Sequence, residues 1–171
     1  MKKKTAVFID GSNLFYIEKS LNFNISFKRF AEYLNKTYDI YNMFYYTGIN
    51  LDDKKETDFL DDLTMAGYTV RQKALKIIRT GPREEDIVKK ANLDIEIVVD
   101  MINTVDHYDR LILISGDSDF VRALELIRSH GKEIWVISQK GHIAKELINV
   151  ADKYIDIEKL KQFIQRGRPK Y

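Results

Sequence analysis

Cysteine is absent from the 171 residues of this chain. That excludes a disulfide scaffold, thiolate zinc sites, iron–sulfur clusters and a cysteine nucleophile. Histidine is scarce: His107, His130 and His142 are scattered without metal-ligand spacing, so a histidine zinc site is not expected. The chain has only 2 proline and 8 glycine residues, too few for a linker-rich or low-complexity sequence. Long apolar runs are missing too. Ala6–Ile9 is too short for a secretion-signal core, and no window approaches the ~18 apolar residues of a membrane span. A cytoplasmic protein with no membrane partner is the expectation. A Gly-x-Gly-x-x-Gly turn after the first strand is lacking, as is a Gly-Lys-Ser/Thr loop, so the usual dinucleotide and nucleoside-triphosphate fingerprints are absent.

The chain is of one-domain size, with 44% hydrophobic and 32% charged residues. Its net charge of +2 hides an asymmetry. Lys2, Lys3 and Lys4 carry +3, and Lys161, Arg166, Arg168 and Lys170 carry +4, which leaves residues 5–160 at −5. The division read from this is a domain over residues 1–160 and a basic C-terminal tail over 161–171, mobile from Gln165. The tail either keeps a frayed end soluble or holds a polyanion backbone.

Apolar runs alternate with helical stretches. Strands are expected at 5–10, 40–47, 68–74, 111–114, 134–138 and 154–155. Helices are expected at 11–20, after a Ser26 cap, and at 52–65, 92–105, 120–129, 142–151 and from 157. Residues 76–85 read as a loop or hairpin around Gly81-Pro82. Short continuous apolar strands in β-α-β order predict a parallel sheet covered on both faces, an α/β fold.

That topology gathers acids. Asp10 ends the first strand, Asp117 and Asp119 follow the 111–114 strand, and Asp94 opens the helix leading into it. All four therefore sit at the carboxyl edge, where open α/β sheets bind ligands. Ionised carboxylates within ~5 Å of one another repel by roughly 3 kcal/mol per pair at an effective dielectric of 20. Such a cluster must bind a cation or hold protons. An all-oxygen ligand set points to Mg²⁺ or Mn²⁺, able to activate water at a phosphodiester. Blander roles stand beside this: Asp117 or Ser118 as a helix cap, Asp94 complementing a helix dipole, and Asp10 as a turn residue. Ser12 and Asn13 either orient a carboxylate or water, or cap. Asp100, on another face of its helix, is read first as a solvent residue and otherwise as an acid standing behind the ligands. Gly11 and Gly116 read as turns that let backbone approach a ligand.

Phe8-Ile9-Asp10-Gly11-Ser12-Asn13 followed by Leu14-Phe15 resembles the opening motif of NYN-domain proteins, LabA-like members of the PIN-like ribonuclease superfamily. Asp94 with Asp100 looks like the family's second motif, and Ser115-Gly116-Asp117-Ser118-Asp119-Phe120 matches the third. Leu147, Ala151-Asp152 and Tyr154-Ile155 resemble its closing pattern, so the likeness spans about residues 5–157. It implies a PIN-like Rossmannoid three-layer sandwich with a central, mainly parallel sheet. It also implies metal-dependent RNA hydrolysis, with Asp10, Asn13, Asp94, Asp117 and Asp119 as catalytic residues. Where the family often has Lys-Gly-Val before the middle Asp, this chain has Ala91-Asn92-Leu93. RNA is the expected partner, single-stranded, and a homodimer is left open. Ser12, Arg71, Lys73, Lys89 and Lys90 are the candidate phosphate contacts, with Arg79 and Arg83 nearby. Tyr41, Tyr45 and Tyr46 are read as core or interface, and His142 as a surface-loop residue. A catalytically idle regulator that binds RNA or protein, and a small-molecule phosphate hydrolase, are the competing classes.

Overall fold

The computed structural model describes residues 2–79 and 87–167, the side chains of 77–79 and 87–90 excepted. Strand β1 (Lys4–Asp10) is buried from Thr5 onward because it lies in the middle of the sheet, between two neighbours and under helices on both faces. Its side chains alternate between two cores: Ala6 and Phe8 enter one, Val7 and Ile9 the other. Both faces being apolar, the sequence shows a continuous run and no period-two pattern.

The other strands are β2 (Asp39–Ile49), β3 (Thr69–Ala74), β6 (Arg110–Ile114), β7 (Glu133–Ser138) and β8 (Lys153–Asp156), with β4 (Lys76–Arg79) and β5 (Ile87–Lys90) standing apart as an antiparallel pair. The main sheet runs β3-β2-β1-β6-β7-β8. Every pairing in it is parallel. The β4–β5 pair bears out the hairpin reading; its proposed turn at Gly81-Pro82 and Arg83 lies outside the described residues.

Helices α1 (Gly11–Ser20), α2 (Phe27–Thr37), α3 (Lys54–Met65) and α7 (Lys161–Ile164) cover one face. They contribute Leu14 and Ile17, Phe30 and Leu34, Leu60 and Leu63, and Ile164 to its core. Helices α4 (Asp94–Asn103), α5 (Val121–Ser129) and α6 (Lys145–Val150) cover the other with Ile97 and Met101, Leu124 and Ile127, and Leu147 and Val150. The three-layer sandwich is thereby complete. Ser26 caps α2 as expected, its hydroxyl accepting the Arg29 N–H. Gly67 follows α3 at a φ of +94°, a conformation that stops the helix at little steric cost only for glycine.

Two expectations are corrected. The helix expected at 142–151 begins only at Lys145, because His142–Ala144 form a loop that clasps Gly116: the Ala144 N–H donates to the Gly116 carbonyl at 3.0 Å. Gln165 and Arg166 are also held. Gln165 pairs with Ile25, the Arg166 N–H donates to the Asn24 carbonyl at 2.7 Å, and Arg29 donates to the Gln165 carbonyl at 2.7 Å.

The strand order reverses between β1 and β6. Connections leave β1 toward β2 on one side and return to β6 on the other, which opens a crevice at the carboxyl ends of these two strands.

Candidate active site

The ends of β1 and β6 bracket that crevice and deliver the acids. Asp10, the last residue of β1, is buried and caps α1: its Oδ1 accepts the Asn13 N–H at 3.0 Å, and its Oδ2 accepts the Ser115 hydroxyl at 3.0 Å. Ser115 Oγ in turn accepts the Asp117 N–H at 3.2 Å. Asp117 caps the short 3-10 turn Ser118–Phe120 that leads into α5, accepting the Asp119 N–H at 3.0 Å. Phe120 is fully buried and anchors this turn in the core. Asp94 is the first residue of α4.

Carboxylate oxygens of Asp94, Asp117 and Asp119 lie within 4.8 Å of one another. Asp94 and Asp117 are half-buried and Asp119 is exposed. Asp10 stands behind this group. Burial chiefly raises its pKa above the ordinary carboxylate value; the bonds from Asn13 and Ser115 act against that, while the charges of Asp94 and Asp117 push it further up. Both Asp10 oxygens already accept one hydrogen bond, and each retains a lone pair. Thus the structure brings three of the four expected ligands into one triad and sets the fourth next to it.

The triad could hold a hard divalent cation, since its donors are all carboxylate oxygens and its outer side is open to water. Capping and clustering turn out not to be alternatives here. Asp10 and Asp117 do cap, and the caps converge.

Asn13 ties the two strand ends together, its Oδ1 accepting the Gly116 N–H at 2.9 Å. Gly116 and Gly11 also make room for the protein's own backbone. Neither has a positive φ. A Cβ on Gly116 would overlap the His142 carbonyl oxygen, and one on Gly11 would overlap the Tyr46 carbonyl oxygen. Ser115, which the sequence reading assigned no role, is fully buried at the centre of this network; a serine at the first position past a buried strand, next to Gly-Asp, was the available signal.

Ser12 is exposed on the first turn of α1. Arg71 and Lys73 lie on one face of β3 as expected, but both meet acids of α4. Arg71 pairs with Asp100 at 3.0 Å and Lys73 with Glu96 at 2.7 Å. Asp100 is therefore not the solvent residue expected. Its side chain is 18% exposed and also accepts the Tyr46 hydroxyl at 2.9 Å. Lys89 and Lys90 belong to β5; their side chains, with Arg79's, lie outside the described residues. Tyr45 and Tyr46 are buried, and Tyr41 stacks on His107 with centroids 5.3 Å apart, which bears out a packing role for all three. His142 is an exposed loop residue.

This fold and this acid-lined crevice define a Rossmannoid α/β protein with a carboxylate centre at its switch point. The chain belongs to the NYN-domain family, a PIN-like nuclease family, whose model matches residues 4–158. It is 41% identical over 165 residues to the low amplitude and bright protein LabA of Synechococcus elongatus, covering 95% of this chain and 88% of that protein. Its fold is similar to the crystal structure of a protein of unknown function from Vibrio parahaemolyticus, with a TM-score of 0.77 at 25% identity, covering 95% of this chain and 96% of that one. Among the described residues no helix is long and apolar enough to cross a membrane.

Proposed function

We propose that this protein is a Mg²⁺- or Mn²⁺-dependent ribonuclease of the cytoplasm that hydrolyses phosphodiesters of single-stranded RNA at the aspartate cluster. The observation that carries the reading is the convergence of Asp94, Asp117 and Asp119 within 4.8 Å at the crevice between β1 and β6. The donor set fits such an ion: three carboxylates with water access suit a small hard cation that keeps part of its hydration. Bound there, the ion would lower the pKa of a coordinated water and neutralise charge developing on the phosphate.

The chain's own residues supply placement. Asp94, Asp117 and Asp119 hold the cation, with Asp10 as a fourth carboxylate beside them. Asn13 and Ser115 keep the β1 and β6 ends in fixed register through the Gly116 N–H and the Asp10 and Asp117 contacts. Ser12, exposed on the first turn of α1, is proposed to donate to a phosphate oxygen. Arg71, Lys73, Lys89 and Lys90 are proposed as rim cations; Arg71 and Lys73 would then exchange an α4 carboxylate for a phosphate.

The test is cleavage of fluorescent single-stranded RNA in Mn²⁺ by the wild type and by Asp117→Asn, purified identically. The variant keeps the capping oxygen and loses the charge. Its rate should fall by at least ~10²-fold, about 2.7 kcal/mol of transition-state stabilisation. Equal cleavage by both would place the activity elsewhere. RNA bound by the wild type without cleavage would move the protein to the regulator class, and turnover of small phosphomonoesters with no preference for polymer would move it to the phosphatase class.

A further inference from the structure

A groove of about 1020 Å³ lies next to the carboxylate cluster, walled by α1 and α3 and floored by the carboxyl end of β2. Its volume is at the top of the ~300–1,000 Å³ range usual for small-molecule pockets, which suits a length of polymer better than a metabolite. None of the four acids lines it, but it reaches residues beside them in the chain: Gly11 and Ser12 directly follow Asp10, and Ala91 stands three residues before Asp94. A chain whose phosphate lay between β1 and β6 would continue into the groove across the end of β2.

One wall carries an unusual helix face. Ser12, Phe15, Tyr16 and Lys19 are all exposed, at the i, i+3, i+4, i+7 spacing that aligns side chains along a helix. The stripe α1 needs for folding is elsewhere, on Leu14 and Ile17, so packing does not require two aromatic rings in solvent. Phe15 is 55% and Tyr16 66% exposed. They meet edge to face at 5.9 Å, and the Lys19 ammonium sits 4.2 Å from the Phe15 centroid and 5.5 Å from that of Tyr16. Exposed rings topped by a cation offer a face for an unpaired base and a charge for its phosphate.

The remaining charges agree. Lys55 from α3 and Arg166 from the chain's last described stretch also line the groove, and neither makes an ion pair among the described residues. Its two acids have structural tasks: Glu18 accepts the Ile25 N–H and Glu56 the Asn50 N–H, each at 2.7 Å.

We infer that this groove is the track along which single-stranded RNA leaves the carboxylate cluster. Phe15 and Tyr16 form the stacking platform for a base, and Lys19 and Lys55 hold phosphates. The inference rests on the ribonuclease reading above and adds to it the route of the strand and the reason for single-strandedness, since a paired base has no free face to stack on the rings.

The experiment is fluorescence anisotropy of a short labelled single strand and of a duplex, with the full chain in EDTA so that nothing is cleaved. Phe15→Ala/Tyr16→Ala should weaken single-strand binding about tenfold or more, leave the slope of log K against log salt unchanged, and leave duplex binding unmoved. Lys19→Ala/Lys55→Ala should lower that slope by about 1.4, two phosphates at ~0.7 each. Phe15→Tyr keeps a ring and should keep wild-type affinity; thermal melts check that each variant is folded. Unchanged single-strand affinity in both double variants would overturn the groove while leaving the ribonuclease reading in place, provided Asp117→Asn abolishes cleavage. Equal losses on single strand and duplex in the aromatic variant would also overturn it, because stacking would not be the cause. A wild type that neither binds nor cleaves RNA would overturn both.

Discussion

Asp117→Asn tests the electrostatics of the site without any RNA. The asparagine retains the oxygen that accepts the Asp119 N–H, so the cap survives and only the charge is lost. That charge lies within 4.8 Å of an Asp94 and an Asp119 oxygen. Two unit charges at that distance repel by about 3.5 kcal/mol at an effective dielectric of 20, and by about 0.9 kcal/mol in bulk water. Asp119 is exposed and the other two are half-buried, which places each pair near the water end. Relieving two pairs then stabilises the metal-free protein by about 2 kcal/mol, and the lost attraction to a helix N-terminus trims this to roughly 1–2 kcal/mol. For a chain of this length, each kcal/mol moves Tm by about 2–4 °C, so the variant should melt about 2–8 °C above the wild type in EDTA. Divalent cation reverses the order. The wild type gains about 2.7 kcal/mol at a hundredfold excess over Kd, and the variant gains less. Melting curves of both proteins, in EDTA and across millimolar Mg²⁺ and Mn²⁺, should therefore cross. A variant no more stable than the wild type in EDTA, or equal metal-induced shifts in both, would refute the reasoning.

Gly116→Ala drives a Cβ into the His142 carbonyl, a backbone atom that cannot rotate away. It should cost about 1–3 kcal/mol, read as a lower denaturant midpoint at unchanged m-value, and should impair cleavage because the Asp117 loop must shift. The pH dependence turns on Asp10. Its folded pKa is raised from 3.8, chiefly by burial, so the proton it binds contributes stability that is fully present below about pH 3.8 and is lost as pH rises through the higher folded value. In chelator, the stability of the wild type minus that of Asp10→Asn should fall across that window; a flat difference would mean that burial does not tune this carboxyl.

The parts of the fold that could be read from sequence are those whose signal is local. The β1 run and the Gly11–Ser20 helix declare themselves through apolar continuity and helical spacing, and both match the structure closely. The parallel sheet follows from their alternation. What could not be read depends on partners far away in the chain. Asp100 looked exposed because helical periodicity turns it away from Asp94; its companions Tyr46 and Arg71 are 54 and 29 residues distant. Gln165 looked mobile because Arg166–Lys170 after it hold no core-forming side chain, and Ile25, its bridge partner, belongs to the loop before α2. The shortened α6 reflects the same limit: the Ala144 N–H serves Gly116 across the site, an obligation invisible in the residues around it. For the site, type and position were legible because parallel topology fixes which edge each acid reaches. Its internal wiring through Ser115 and the Gly116 N–H was not, since it depends on which atoms face each other across the crevice.

The same topology explains how such a cluster exists in a folded chain without its ion. In a parallel sheet, helices begin where strands end, so the crevice that collects the acids also collects helix N-termini. Asp10 caps α1, Asp94 opens α4, and Asp117 caps the turn that runs into α5. Each N-terminus favours a negative group by about 0.3–1 kcal/mol through its partial positive charge and unpaired N–H groups. Summed over three helices, that offsets much of the mutual repulsion estimated above. The acids of α4 that lie off the crevice receive cations: Asp100 pairs with Arg71 and Glu96 with Lys73. An acid added elsewhere on that edge would lack the support of a helix end. This is why the carboxylates occupy helix starts, and why a substitution that preserves the cap while removing the charge separates the structural role of each aspartate from its chemical one.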